Sequence, residues 1–327
     1  MALTDSYRSF ASLMRDGRYA EALALAEHEA LNAGGRADFW HTQRANALIR
    51  MKRFEQARDA ADEALRGAPN NPYAILAMAD SLGGLGQLER ACGLYEQVSH
   101  SRDSRAAARG QNRLLQCLGR RGEWEQVLAL TATRTDPSGA LNEHRARALH
   151  ALGRDDEALE ACRAWLEASP DNPRALWLQT EIDIAKEGLD TVRQRFSRLA
   201  RIPSRPPIYG EIYASLCRRA GVPEAALGQY EKLQSRTTDP GVLRKKAFAL
   251  SKAGREEEAV PLMEQLLRAD PGDPYLHTGY IAACGRMGER QRPVQFYQTL
   301  LGEHPEHKQL YGWLKRARKQ EGGGTRG

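Results

Sequence analysis

Residues 254–274 read GREEEAVPLMEQLLRADPGDP, and the stretch has two counterparts of equal length and punctuation: KRFEQARDAADEALRGAPNNP at 52–72 and GRDDEALEACRAWLEASPDNP at 153–173. Each opens at a turn, runs through apolar residues of helical period and closes on prolines. With Gly254 as anchor, the same turn recurs at Gly17, Lys52, Gly86, Gly122, Gly153, Gly188, Gly221 and Gly288, at spacings of 31 to 36 residues. A period of about 34 residues is that of stacked helical hairpins, since two helices of three to four turns and two short connections use that length.

Five residues past the anchor stand Ala22, Ala57, Ala91, Ala158, Ala226 and Ala259, and seven before it stand Ala45, Ala79, Ala146, Ala214 and Ala247. Small side chains at fixed places let the two helices of a hairpin cross closely. Pro69, Pro170, Pro271 and Pro305, seventeen past their anchors, stop the second helix before the next hairpin begins. At Gly254, Ala259 and Pro271 the pattern resembles the tetratricopeptide repeat. Ala91-x-x-x-Tyr95 and Ala226-x-x-x-Tyr230 fit that family's small-to-aromatic element, and Trp177 falls at its first aromatic. Tyr19, Phe54 and Trp124 fill the aromatic place two after the anchor.

The resemblance covers residues 3–307 and implies an all-α fold, a right-handed α-α superhelix (a tetratricopeptide-repeat solenoid) of about nine helical-hairpin repeats. An outermost hairpin exposes an apolar flank, and residues 308–320 are read as the capping helix that covers it, with Leu310, Trp313 and Leu314 on one face. Residues 321–327 are read as a disordered tail. Two places depart from the pattern. Repeat six fits better with a one-residue shift that aligns Val192-x-x-x-Phe196, and repeat nine has Pro293 where alanine is expected. Pro203, Pro206 and Pro207 are read as a rigid inter-repeat turn, with a kink near 203–207 as the alternative.

Of the 327 residues 41% are apolar, 28% charged and only 7% aromatic, which suits a helical protein with a thin core. The net charge of +6 favours anionic partners wherever the charge is clustered. Five cysteines without a C-x-x-C pair suggest neither a zinc site nor a disulfide framework, and are read as small core hydrophobes. No segment approaches the roughly 18 apolar residues of a membrane span, so a soluble, cytoplasmic protein is expected. His304 and His307 flank Pro305 without a third ligand nearby and read as a solvated turn. The motifs G-x-S-x-G and H-E-x-x-H and a glycine-rich phosphate loop are absent, and Gly83-Gly84-Leu85-Gly86 precedes a helix without any strand. The expectation is a protein that is not an enzyme and needs no cofactor or metal.

In the family it resembles, the hollow side is lined mainly by the first helix of each hairpin. Placing residues on that face selects Phe39, Gln43, Asn46, Tyr73, Asp80, Arg109, Asn112, Arg113, Gln116, His144 and Arg147 as a ligand-binding groove, with Arg120 in the same register. Arg105, Arg109 and Arg113 follow an i, i+4, i+8 course and form one stripe. Some family members grip acidic C-terminal tails of chaperones in a carboxylate clamp. Here Asn46 matches one clamp amide, and Arg109 and Arg113 have the charge of two cationic places. Thr42 stands where lysine is expected and Ala77 where a second asparagine is, which implies capture of some other acidic segment.

The function expected is that of an adaptor or scaffold holding an extended or helical, acidic peptide segment of another protein. Arg193, Arg195, Arg198, Arg201 and Arg205 form a second basic cluster read as a solvated face, and Arg218, Arg219, Arg244 and Lys245 continue the positive charge. The alternatives are an RNA-binding helical repeat, which would need aromatic groups in every hairpin, and an accessory subunit of an enzyme or of a secretion or assembly complex.

Overall fold

All nine anchors take up backbone with φ between 59° and 86° in the computed structural model, which describes residues 2–32, 36–132, 139–235, 239–305 and 307–322. A helix that ends on such a residue can turn back tightly. The following N–H then reaches a carbonyl five residues earlier, as Arg53 to Leu48 and Gln87 to Leu82, both at 2.9 Å. Eight anchors are glycine, which tolerates this conformation. Lys52, at φ 59°, carries a side chain there.

The described residues form 19 helices and no strand, that is nine hairpins and a last helix. The chain divides into two compact units, Met1–Pro170 and Asp171–Gly327. The first holds α1 (Ala2–Arg15), α2 (Tyr19–Asn32), α3 (Ala37–Arg50), α4 (Phe54–Gly67), α5 (Pro72–Gly84), α6 (Leu88–Ser99), α7 (Ser104–Arg121), α8 (Trp124–Ala132), α9 (Ala140–Ala151) and α10 (Asp155–Ala168). The second holds α11 (Pro173–Glu187), α12 (Leu189–Leu199), α13 (Pro207–Arg219), α14 (Pro223–Gln234), α15 (Pro240–Lys252), α16 (Glu256–Ala269), α17 (Pro274–Met287), α18 (Gln291–Glu303) and α19 (Gln309–Gly322). The proline-rich stretch 203–207 lies inside the second unit, at the start of α13.

The quoted stretches close on Asn-Pro or Asp-Pro for a reason that lies in the next helix. Asn71, Asn172 and Asp273 accept hydrogen bonds from the first free N–H groups of α5, α11 and α17, and the proline that follows each one opens the helix where no donor is needed. The same pair, Asp239 and Pro240, starts α15. The alanines of the pattern are the crossing points: all eleven, from Ala22 to Ala259, have no exposed surface. Val127 fills the equivalent place in α8 and Val192 that in α12.

Both departures have local causes. Gly188 combines φ 86° with ψ 154°, a nearly glycine-only conformation, so that α12 begins at the very next residue and its packing face shifts by one position. Pro293 is buried in the first turn of α18, where a missing N–H costs no helical bond. At the end of the chain Leu310, Leu314 and Ala317 are buried on α19, with Trp313 packed beside them. The helix runs on through Gly322, so Glu321 and Gly322 belong to it, and residues 323–327 of the expected tail lie outside the described residues.

One expectation about the cysteines fails. Cys92 on α6 and Cys117 on α7 are joined as a disulfide with Cα atoms 5.9 Å apart, while Cys162, Cys217 and Cys284 are buried outside this bond. The two partners lie 25 residues apart, in consecutive hairpins, and only the packing of α6 on α7 brings them together. No helix among the described residues is long and apolar enough to cross a membrane.

Candidate functional site

The first helices of successive hairpins in the first unit, α3, α5, α7 and α9, pack each against the next. All the groove residues selected from sequence come from these four helices. Asp80, Arg113 and Gln116 meet at a cavity of about 210 Å³, while the others lie outside its lining.

The cavity is built from four elements. On α7, Arg113, Gln116 and Arg120 fall at i, i+3 and i+7 and present one stripe. α5 contributes Asp80 with Gly83 and Gly84, and Ile49 of α3 and Tyr95 of α6 close the walls. Glycine opens the space: a Cβ on Gly83 would stand 3.7 Å from the Tyr95 hydroxyl and 3.8 Å from the Arg120 guanidinium. Gly84 has another duty, since a Cβ there would stand 2.3 Å from the ring of Phe54 on α4.

Asp80 is the hub of the polar contacts. It accepts the Tyr95 hydroxyl at 2.6 Å, and Arg113 Nε lies 3.2 Å from the same oxygen while Arg113 Nη2 donates to the other at 3.3 Å. Burial, with the Asp80 charge adding to it, pushes the Tyr95 phenol far above its ordinary range, so it stays a donor. Arg120 donates to the Gly83 carbonyl at 3.3 Å and makes no ion pair among the described residues. Gln116 donates to Asn112 at 2.7 Å. Two guanidinium groups against one carboxylate leave the cavity with one net positive charge, suited to an anionic group.

The remaining selected residues have other surroundings. Phe39 packs edge-on against Tyr7 and Trp40, with ring centroids 5.6 and 5.2 Å away. The Tyr73 hydroxyl donates to Asp103, the residue that caps α7. Arg147 pairs with Glu143 at 3.2 Å. Half-burial holds the His144 imidazole below its usual pKa, so that it is neutral at pH 7. Gln43 and Asn46 are half-buried on α3, and Arg109 is exposed without an ion pair among the described residues. Thr42 and Ala77, the two places that depart from the clamp, are buried in the packing.

Several of the cations that read as free in the sequence are paired, some of them with carboxylates about one period away. Arg219 meets Glu181 at 2.6 Å, Arg244 meets Asp273 at 2.7 Å and Lys245 meets Glu211. In the second basic cluster Arg193 holds Asp190, Arg195 holds Asp183 and Glu187, and Arg205 holds Tyr209 and Asp171. Sequence reasoning missed Ile49, Gly83, Gly84 and Tyr95 as cavity walls. The glycine pair was the available signal. Among the described residues no group of three or more His, Cys, Asp or Glu side chains is placed to hold a metal ion.

A family model described as tetratricopeptide repeat matches residues 121–173, and the hairpin found there recurs through the described residues of both units. The fold is of the tetratricopeptide-repeat kind. No curated protein matches it. Among solved structures, yeast Tom70 aligns with 12% identity over 97% of this chain and 96% of its own, at a TM-score of 0.45. The C-terminal part of a repeat protein from Cytophaga hutchinsonii aligns at 14% identity, covering 84% and 98% of the two chains, with a TM-score of 0.46. A tetratricopeptide repeat protein from Parabacteroides merdae aligns at 14% identity over 86% and 98%, with a TM-score of 0.41. A fold of this kind generally supports a protein–protein interaction scaffold.

Proposed function

We propose that the first unit is a protein-binding adaptor surface that holds an acidic peptide segment, with one carboxylate of the guest entering the cavity between Arg113 and Arg120. The single observation behind this reading is the imbalance of charge at a preformed recess: Asp80 answers one of the two guanidinium groups and the other is left to a ligand. Arg109, Asn112 and Gln116 lie along the same helix to take further polar groups of the guest. The reading assigns no catalytic step and no cofactor. RNA ranks below peptide because, among the described residues, exposed aromatic groups do not recur hairpin by hairpin on this face.

The proposed setting is the cytoplasm; because thiols there are kept reduced, the Cys92–Cys117 bond is the feature that tests it. Protein taken from its native cell under alkylating conditions with Cys92 and Cys117 both blocked supports that setting. An intact bond places the chain in an oxidising compartment.

Fluorescence anisotropy with a labelled peptide of alternating glutamate and leucine, against its glutamine counterpart, tests the site. Arg120→Ala should weaken the glutamate peptide by about tenfold, the scale of one lost charge-assisted contact. Gly83→Ala should preserve the helix and weaken it as well, because the added methyl group takes up part of the recess. Equal binding of both peptides, or of wild type and both variants, sinks the assignment.

A further inference from the structure

A second recess, of about 410 Å³, lies between α6, α7 and α8, and its character is opposite to that of the first. α7 packs against both α6 and α8, and its Leu114 and Leu118, each nearly buried, form the floor. Glu89, Gly93 and Glu96 face the recess from α6 at i, i+4 and i+7, and Gln126 and Leu130 face it from α8 at i and i+4. Helical periodicity has therefore turned three separate segments toward one groove.

The charge of this groove runs against that of the chain. Arg121 and Glu123 at its end neutralise each other at 2.7 Å. Glu89 and Glu96 are exposed and form no ion pair among the described residues, whereas the chain as a whole carries a net charge of +6. Seven residues of helix place these two carboxylates about 10.5 Å apart along the axis. Gly93 stands between them and keeps the wall low, with nothing within 4 Å of where its Cβ would be.

We infer that this groove docks a basic amphipathic helix of a partner protein, whose leucine-like face rests on Leu114, Leu118 and Leu130 and whose lysines or arginines, seven residues apart, meet Glu89 and Glu96. Two acidic residues two helical turns apart, beside an apolar floor, match one face of such a helix in both spacing and sign. Long cationic side chains suit the place because their aliphatic stems cover apolar surface while their heads reach the carboxylates. The groove opens on a different set of helix faces from the cavity at Arg120, so the two sites accept guests of opposite charge.

The test uses the full chain and a labelled 18-residue helical peptide of leucine and lysine, with lysines seven apart, against the same peptide carrying glutamate for lysine. The lysine peptide should bind more tightly. Gly93→Leu, which fills the groove from a helix position with open space around it, should weaken it by about tenfold, and so should the double variant Glu89→Lys with Glu96→Lys. Arg120→Ala should leave it unchanged, which separates this site from the acidic-peptide site. Indifference to charge, or insensitivity to Gly93→Leu, overturns the proposal. So does a concentration-dependent dimer in sedimentation that Gly93→Leu dissolves, because the occupant would then be a second copy of the chain.

Discussion

The Asp80 carboxylate holds the Tyr95 hydroxyl at 2.6 Å and the Arg113 guanidinium at 3.2 Å, so the most central arginine of the cavity is already engaged by its own chain. A guest carboxylate must compete with Asp80 for Arg113.

Replacing Asp80 with asparagine keeps an acceptor for Tyr95 and removes the competing charge. Asp80→Asn should therefore bind the acidic peptide more tightly, by about three- to tenfold at low salt, with the gain shrinking as salt rises. Anisotropy titrations at two ionic strengths measure this, and an unchanged or weakened affinity would show that Arg113 takes no part in recognition.

Lys52 is the only one of the nine anchors with a side chain, at φ 59°. The left-handed conformation costs a non-glycine residue about 1–2 kcal/mol, part of which glycine gives back through its freer unfolded chain. Lys52→Gly should raise stability by about 0.5–1 kcal/mol, read as a higher urea midpoint. Gly254→Ala should move the midpoint the other way, since its neighbourhood is open and only the backbone objects.

The Cys92–Cys117 bond predicts a thiol count. Denatured protein kept free of reductant should titrate three thiols, from Cys162, Cys217 and Cys284, and five after reduction. Reduction opens a loop of 25 residues and should cost about 3 kcal/mol of stability by the chain-entropy argument. Five thiols before reduction would refute the bond.

His277 is buried between the Tyr297 hydroxyl at 3.0 Å and the Pro271 carbonyl at 2.9 Å, and stacks on Trp313 of α19 at 4.8 Å. Burial lowers its pKa, against smaller opposing effects of the Pro271 hydrogen bond, Asp273 and Asp270. Arg316 lies over the far partner of the stack, Trp313. Because the folded value lies below the unfolded one of about 6.5, the unfolded chain takes up a proton first as pH falls. The stability that neutral His277 contributes is complete above that value and declines below it. Thermal melts at pH 7.5 and 5.5 should show a larger loss for wild type than for His277→Phe, and equal losses would remove His277 from the account.

The hairpin period could be read from the chain because every repeat must solve the same local problems with nearby residues. Gly254 turns the helix back, Ala259 lets the next one approach, and Pro271 and Pro274 end one helix and begin another, all within a few turns. Even Gly188 showed itself as a one-residue shift, since a different turn moves the whole face of α12. The part played by Asn71 and Asp273 as caps was equally local and went unread.

The recognition surface was less legible, for physical reasons. Whether a cation is free depends on a carboxylate roughly one repeat away, as with Arg113 and Asp80 or Lys245 and Glu211, and that distance in sequence carries no local signal. A recess is an absence of side chain, which at Gly93 looks like any other glycine in a helix. Local backbone chemistry thus settled how each hairpin is made, because its partners are neighbours in the chain. The packing of one hairpin on the next alone chose which charges remain unanswered, which cysteines meet and where the hollows lie, because those partners become neighbours only in space.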